Sequence, residues 1–165
     1  MNPPVAPGHR VGWGIDAHPL NDRPPLLLAG VAVSDEVGVE ATSDGDVLAH
    51  AVIDAILGAC VLGDIGEHFP SSDPEMAGAD SMEMLRRAVR LAGDAGWMPG
   101  NLDTTVVSES VRVAPHRKEI RQSLADGLGI DVEHVSVKGT GTDGLGFVGR
   151  GEGIMATAIV TMTVL

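Results

Sequence analysis

Between Val47 and Leu62 the chain runs through an apolar stretch with helical periodicity, fenced at both ends. Thr42-Ser43-Asp44-Gly45-Asp46 supplies side-chain acceptors for the free amides of a first helical turn, and Gly63-Asp64-Ile65-Gly66 stops the run. So apolar a helix must be packed against other elements. The flanking segments supply them. Arg10–His18 reads as a strand, with Val11, Trp13 and Ile15 alternating against smaller or polar residues. Residues 21–25 form a turn, and Leu26–Val33 is a hairpin or bent strand broken at Gly30. Residues 35–43 and 67–79 read as loops. A second helix starts at Asp80 or Ser81 and runs to about Ala95, with an apolar face of Met84, Leu85, Ala88, Leu91 and Ala92. Leu102–Ser108 is a strand. Pro115–Leu128 is a third helix, with Ile120, Leu124 and Leu128 at helical spacing. Val135–Gly139 and the long apolar Gly151–Leu165 are the last strands. The pattern predicts an α+β fold, a four-stranded mixed sheet covered on one face by three helices. Residues 1–9, with three prolines and a glycine, read as a flexible N-terminal extension, and 10–165 as a single domain.

Composition narrows the function classes. In 165 residues there are 23 acids against 11 bases, a formal charge of −12. Nucleic acids and anionic membrane surfaces attract an excess of Lys and Arg, so neither is an expected partner. A small anionic ligand is not excluded, because it feels the local site. The lone cysteine, Cys60, allows neither an internal disulfide nor a multi-cysteine zinc site, which suits a reduced cytoplasm. No apolar run approaches the ~20 residues of a membrane span. With two Trp, two Phe and no Tyr, the core must consist of Val, Leu, Ile, Ala and Met.

Three groups of residues have chemical potential. Asp16 and His18, two apart on a strand, point to one face and can share a ligand. His50 lies within the first helix, with Asp46 and Asp54 four residues before and after it on the same stripe. It is either a satisfied core histidine or a metal ligand whose second ring nitrogen is held by a carboxylate. If strand and helix meet, Asp16, His18 and His50 offer two nitrogens and an oxygen, with a fourth position open as in catalytic zinc sites. The third group is Gly139–Gly153, whose backbone amides, threonine hydroxyls and Arg150 can cradle phosphate oxygens. It is neither a Walker A loop nor a dinucleotide fingerprint. Arg86, Arg87 and Arg90, and likewise Arg117, Lys118 and Arg121, read as solvated helix faces. His68, His116 and His134 have no evident partners, and Cys60 reads as helix packing.

Gly14-Ile-Asp-Ala-His18, Ser43-Asp-Gly-Asp-Val47 with His50, Leu62-Gly-Asp-Ile-Gly66 with Phe69-Pro70, Gly78-Ala-Asp-Ser81, Asn101, Leu145-Gly-Phe and Gly149-Arg-Gly-Glu-Gly153 occur in order along nearly the whole chain. Together they resemble the 2-C-methyl-D-erythritol 2,4-cyclodiphosphate synthases of the non-mevalonate isoprenoid pathway. The resemblance implies a homotrimer with active sites at subunit interfaces. It implies Zn2+ on Asp16, His18 and His50, and a second divalent ion, Mg2+ or Mn2+, at Asp143. The implied substrate is 4-CDP-2-C-methyl-D-erythritol 2-phosphate, cyclised with release of CMP. By position, Asp64, Ile65, Gly66 and the Phe69–Asp73 loop hold the methylerythritol part, and Asp16, His18, Thr42 and Ser43 are also implied to bind substrate. Ser108–Ala114, including Arg112, and Thr140, Gly141, Thr142 and Asp143 hold the cytidine and its phosphates. Phe147, Arg150 and Glu152 resemble a trimer-axis segment where Arg150 meets an isoprenoid diphosphate in a central cavity.

Several positions depart from that pattern. Thr42 and Gly141 stand where the family has a histidine and a threonine that act as transition-state stabilisers. Loss of one such donor costs roughly 3–4 kcal/mol of barrier. Ser71 replaces an acid, Asp143 a glutamate, Arg112 a lysine and Val111 a proline. Two alternatives therefore stand beside the family reaction. One is a specialised paralogue that cyclises a different CDP-linked phosphate or phosphonate. The other is a non-catalytic trimeric binding protein.

Overall fold

The structure is a computed structural model that describes residues 8–165. Of the stretch 1–9 read as an extension, residues 1–7 lie outside the described residues, and His9 already belongs to the first strand. The element order is β1 (His9–Asn21), β2 (Leu26–Leu28), β3 (Val31–Ser34), β4 (Gly38–Val39), α1 (Val47–Cys60), the single turn α2 (Ile65–His68), α3 (Ser81–Asp94), β5 (Trp97–Val107), α4 (Arg117–Leu128), β6 (Val135–Thr140), the single turn α5 (Gly146–Gly149) and β7 (Gly153–Val164). The main sheet is mixed, with strand order β4-β1-β7-β5-β6; only the β5–β6 pairing is parallel. β2 and β3 form the expected hairpin as a separate ribbon.

The sheet thus has five strands, not four. The extra strand is two residues long and pairs with Leu20 and Asn21. Its Gly38 lies so close to the Arg23 carbonyl that a Cβ would stand 1.8 Å from that oxygen. A two-residue pairing has no alternation to show, so this stretch reads as loop. The 67–79 segment likewise contains structure, with α2 running into its start and a 3-10 turn at Pro74–Met76. Asp64 and Asp73 cap these turns by accepting from the amides of Glu67 and Glu75.

Helix α1 is buried all round except at Asp54 and Gly58. Asp46 caps it, accepting from Ala49 N at 2.9 Å and also from Gly30 N at 2.6 Å, which ties the hairpin to the helix start. The helix ends at Cys60, two residues early, because Val61 turns left-handed at φ 60° and donates to Gly58 O. α3 is capped by Asp80 and packs Met82, Met84, Leu85, Ala88 and Ala92 inward. The third helix begins with a 3-10 turn at Ala114–His116 before α4 proper.

The glycines of β1 place α1. A Cβ on Gly12 would stand 1.8 Å from Ala55 O, and one on Gly14 2.0 Å from Ala51 O. The helix therefore lies directly on strand backbone. By strand alternation Gly12, Gly14, Asp16 and His18 share this face. The apolar Val11, Trp13 and Ile15 point the other way, and Trp13 is 61% and Val11 68% exposed. No helix among the described residues is long and apolar enough to cross a membrane.

Candidate active site

The close seat of α1 on Gly14 brings its first turns beside the next residues of the glycine-bearing strand face. His50 Nδ1 stands 2.9 Å from Asp16 Oδ2 and 3.2 Å from His18 Nε2. His18 Nε2 is itself 2.9 Å from Asp16 Oδ2. Strand and helix do meet, and one ligand atom from each of the three residues lies within 4.8 Å of the others. Two imidazole nitrogens and one carboxylate oxygen converging in this way suit a divalent metal such as zinc. Burial alone would raise the Asp16 carboxyl, but hydrogen bonds and charge from the two histidines hold it well below the ordinary range. His18 moves in the opposite sense: burial disfavours its charged form, and the Asp16 hydrogen bond and charge outweigh this and raise it.

The cluster forms one wall of a cleft of about 270 Å³. Thr42, Ser43, Ile65, Gly66, Phe69 and Ser71 complete much of its lining, so half of the sequence-expected methylerythritol residues are gathered there. Asp64, Pro70, Ser72 and Asp73 are not among them. Asp64 and Asp73 are engaged as helix caps. Asp54, expected only as a neighbour on the helix stripe, also lines the cleft; burial raises its carboxyl although it accepts from Ile65 N at 2.8 Å.

The second nitrogen of His50 does not meet a carboxylate. Asp46 and Asp54 are turned to backbone amides, and Nε2 instead lies 2.9 Å from Ser81 Oγ and 3.2 Å from Ser43 Oγ. The Ser81 hydroxyl donates to Asp44 in a short contact. Periodicity on α1 cannot reveal a partner from the start of α3. The Asp44 and Ser81 roles have no local signal beyond their place in polar capping runs.

A separate cleft of about 310 Å³ gathers Ser108, Arg112, Thr140 and Gly141, and shares no lining residue with the first. Glu109, which sequence reasoning passed over, dominates its loop. Its Oε1 accepts from Thr142 N at 2.7 Å and lies 2.8 Å from where a Cβ of Gly141 would be. These amide hydrogen bonds lower the Glu109 carboxyl. Part of the amide cradle expected to face phosphate thus faces a carboxylate. Asp143, left-handed at φ 54°, is exposed and apart from the Asp16–His18–His50 group. Phe147 is half-exposed and packs over Gly153. Arg150 forms a two-pronged pair with Glu152, at 2.8 and 3.0 Å.

Other surface expectations change in detail. Arg121 does not simply face solvent; it donates to the carbonyls of Val135 and Val132, both at 2.7 Å. His68 has a partner, with Nε2 2.7 Å from Leu62 O. Arg86 and Arg90 pair with Glu83, and Arg87 lies over the Phe69 ring. Cys60 is buried as expected.

Fold and site together define an α+β domain organised round a two-histidine, one-carboxylate cluster in the wall of a cleft. The YgbB family model matches residues 9–163, and the chain belongs to that family. A 2-C-methyl-D-erythritol 2,4-cyclodiphosphate synthase of Shewanella halifaxensis is 51% identical over 153 residues, 93% of this chain and 96% of that one. Among solved structures, the bifunctional IspDF of Campylobacter jejuni superposes with a TM-score of 0.92 at 39% identity. That match takes in 95% of this chain and 42% of the longer one. Plasmodium falciparum IspF in its CDP complex gives a TM-score of 0.84 at 31% identity, covering 97% of this chain and 99% of that one.

Proposed function

We propose that the chain converts 4-CDP-2-C-methyl-D-erythritol 2-phosphate to 2-C-methyl-D-erythritol 2,4-cyclodiphosphate and CMP. The observation that carries this reading is the Asp16–His18–His50 cluster within the Thr42–Phe69 cleft, in a chain about half identical to synthases of that name. In the reaction an oxygen of the 2-phosphate bonds to the β-phosphorus. The bond from that phosphorus to the bridging oxygen breaks, and CMP leaves with the bridging oxygen. The attacking phosphate is already ionised, so no protein base is required. What the reaction demands is a folded substrate, in-line geometry and neutralised charge.

Asp16, His18 and His50 would hold Zn2+, and Asp143 would meet a second ion, Mg2+ or Mn2+, with the substrate diphosphate. When bound, such ions neutralise and polarise phosphate oxygens, which reconciles an anionic substrate with a chain of formal charge −12. Thr42 and Ser43 border the cluster and offer hydroxyl donors. Ile65, Gly66 and Phe69 enclose the carbon skeleton and exclude water. Arg112 and the Thr140–Asp143 loop hold the nucleotide side. Gly141 has only its backbone amide to offer, so the strain on Thr42 and on the metal ligands as charge stabilisers is greater.

The exposed apolar stripe of Val11, Trp13, Ile15 and Ile159 on the uncovered sheet face supports assembly as a homotrimer, with sites completed between subunits. Phe147 and Arg150 would then lie near its axis, where Arg150 can meet an isoprenoid diphosphate. The lone buried cysteine supports a cytoplasmic location.

The test is CMP release, followed by chromatography, from the synthetic substrate with zinc and magnesium added. Turnover that is lost on chelation and restored by metal is the expected result. Binding of CDP with no CMP release from the substrate would contradict the catalytic reading. Sedimentation tests the assembly: Trp13→Asp should convert a trimer to monomers.

A further inference from the structure

The contacts behind His50 fix which way its ring presents itself. Asp44 holds Ser81 at two points: its Oδ2 accepts from Ser81 N at 2.9 Å, and its Oδ1 accepts from the Ser81 hydroxyl. The amide belongs to the first turn of α3 and has no partner within the helix, so the carboxylate satisfies it from outside. A serine hydroxyl has one proton. With that proton given to an ionised carboxylate, Ser81 Oγ can only accept from the nitrogen that faces it, His50 Nε2 at 2.9 Å. In the neutral ring that a metal ligand must be, Nε2 is therefore the protonated nitrogen, and Nδ1, the atom beside Asp16 and His18, offers its lone pair. Ser81 has no measurable exposure and His50 is 8% exposed, so water does not compete readily for these positions.

We infer that Asp44 and Ser81 are positioning residues for metal capture, acting through His50. Their relay selects the ring orientation and the protonated nitrogen that leave Nδ1 facing the cluster. Asp44 serves this from the loop before α1, Ser81 from the start of α3, and His50 from α1 itself. The relay thus ties three segments to one ligand atom. Such outer partners are worth roughly 10–100-fold in metal affinity. Ser43 Oγ, 3.2 Å from the same nitrogen and accepting from Gly45 N at 3.3 Å, is the weaker neighbour. This inference rests on the reading that Asp16, His18 and His50 hold a metal.

The experiment is a zinc titration of the metal-free full chain against a chromophoric chelator, with thermal unfolding of each metal-free protein as the folding check. Wild type is measured first: failure to bind zinc would defeat the metal reading itself, and the relay with it. With wild-type binding established, Ser81→Ala should weaken zinc roughly 10–100-fold while Ser43→Ala weakens it less. Should Ser81→Ala fail to fold, Asp44→Asn decides, since one amide oxygen cannot replace both carboxylate contacts; a several-fold loss is expected. A folded Ser81→Ala within twofold of wild type, a larger loss for Ser43→Ala, or an unchanged Asp44→Asn would each overturn the relay while leaving the metal site intact.

Discussion

At the end of the molecule proposed to hold metal a glycine faces backbone; at the end proposed to hold nucleotide a glycine faces the tip of a flexible side chain. A Cβ at Gly14 would run into Ala51 O at 2.0 Å, whereas one at Gly141 would meet the Glu109 carboxylate at 2.8 Å. The first contact cannot give without moving a buried helix. The second gives when an exposed glutamate rotates. The cluster of Asp16, His18 and His50 is thus built on positions that packing fixes. The segment from Thr140 to Asp143 is largely exposed, and backbone hydrogen bonds at Thr140 O and Thr142 O are joined there by the Thr142 amide donating to Glu109.

The largest effect should come from the ligand itself. His50→Ala should abolish zinc binding and lower turnover by about 10³-fold or more, equivalent to about 4 kcal/mol of barrier. Circular dichroism of the metal-free variant should stay native, because one ring at the cleft wall is removed and the α1 core remains. Aggregation of the variant would instead make the cluster a folding element.

Gly14→Ala sharpens the comparison. It should destabilise the fold by about 3 kcal/mol or more, the upper range for overpacking, read as a lower melting temperature. A variant that melts like wild type would mean that α1 can lift from β1, and that the rigid account of the metal end is wrong.

Asp46→Ala should cost about 2 kcal/mol, since it strands the Ala49 and Gly30 amides that one carboxylate now satisfies. Asp46→Asn should cost less. Burial raises the Asp46 carboxyl in the folded chain, so folding takes up protons there and Asp46 contributes less stability as pH rises through its raised value. Relative to Asp46→Asn, wild type should gain stability as pH falls from 7 toward about 4 and gain no more below the ordinary carboxylate range. Paired melting curves across that window check the sign.

The smallest effect belongs to the nucleotide end. Gly141→Ala should change stability by no more than about 0.5 kcal/mol, as for an exposed site with room to adjust. A loss as large as that of Gly14→Ala would erase the contrast between the two regions.

How much could be read beforehand follows the same division. The three long helices and the four long strands were legible because each is a periodic apolar run, and α1 and α3 have local side-chain caps as well. Strand β4 was not, since it pairs over only two residues. Asp16 and His18 could be placed on one face by alternation, but nothing in the run from Val47 showed that Gly12 and Gly14 would let α1 approach so closely. The apolar Val11, Trp13 and Ile15 look like core, yet the glycines between them are what the helix covers. Ser81 and Glu109 act across 31 and 33 positions of sequence, on His50 and Thr142. A partner so distant leaves no spacing to detect.

The most direct test of the account is phosphorus NMR of the zinc- and magnesium-loaded protein with 4-CDP-2-C-methyl-D-erythritol 2-phosphate. The account predicts loss of the substrate signals, with CMP and a cyclic diphosphate appearing together in equal amounts. An unchanged spectrum, with the metal content verified and a synthase relative converting the same sample, would contradict it.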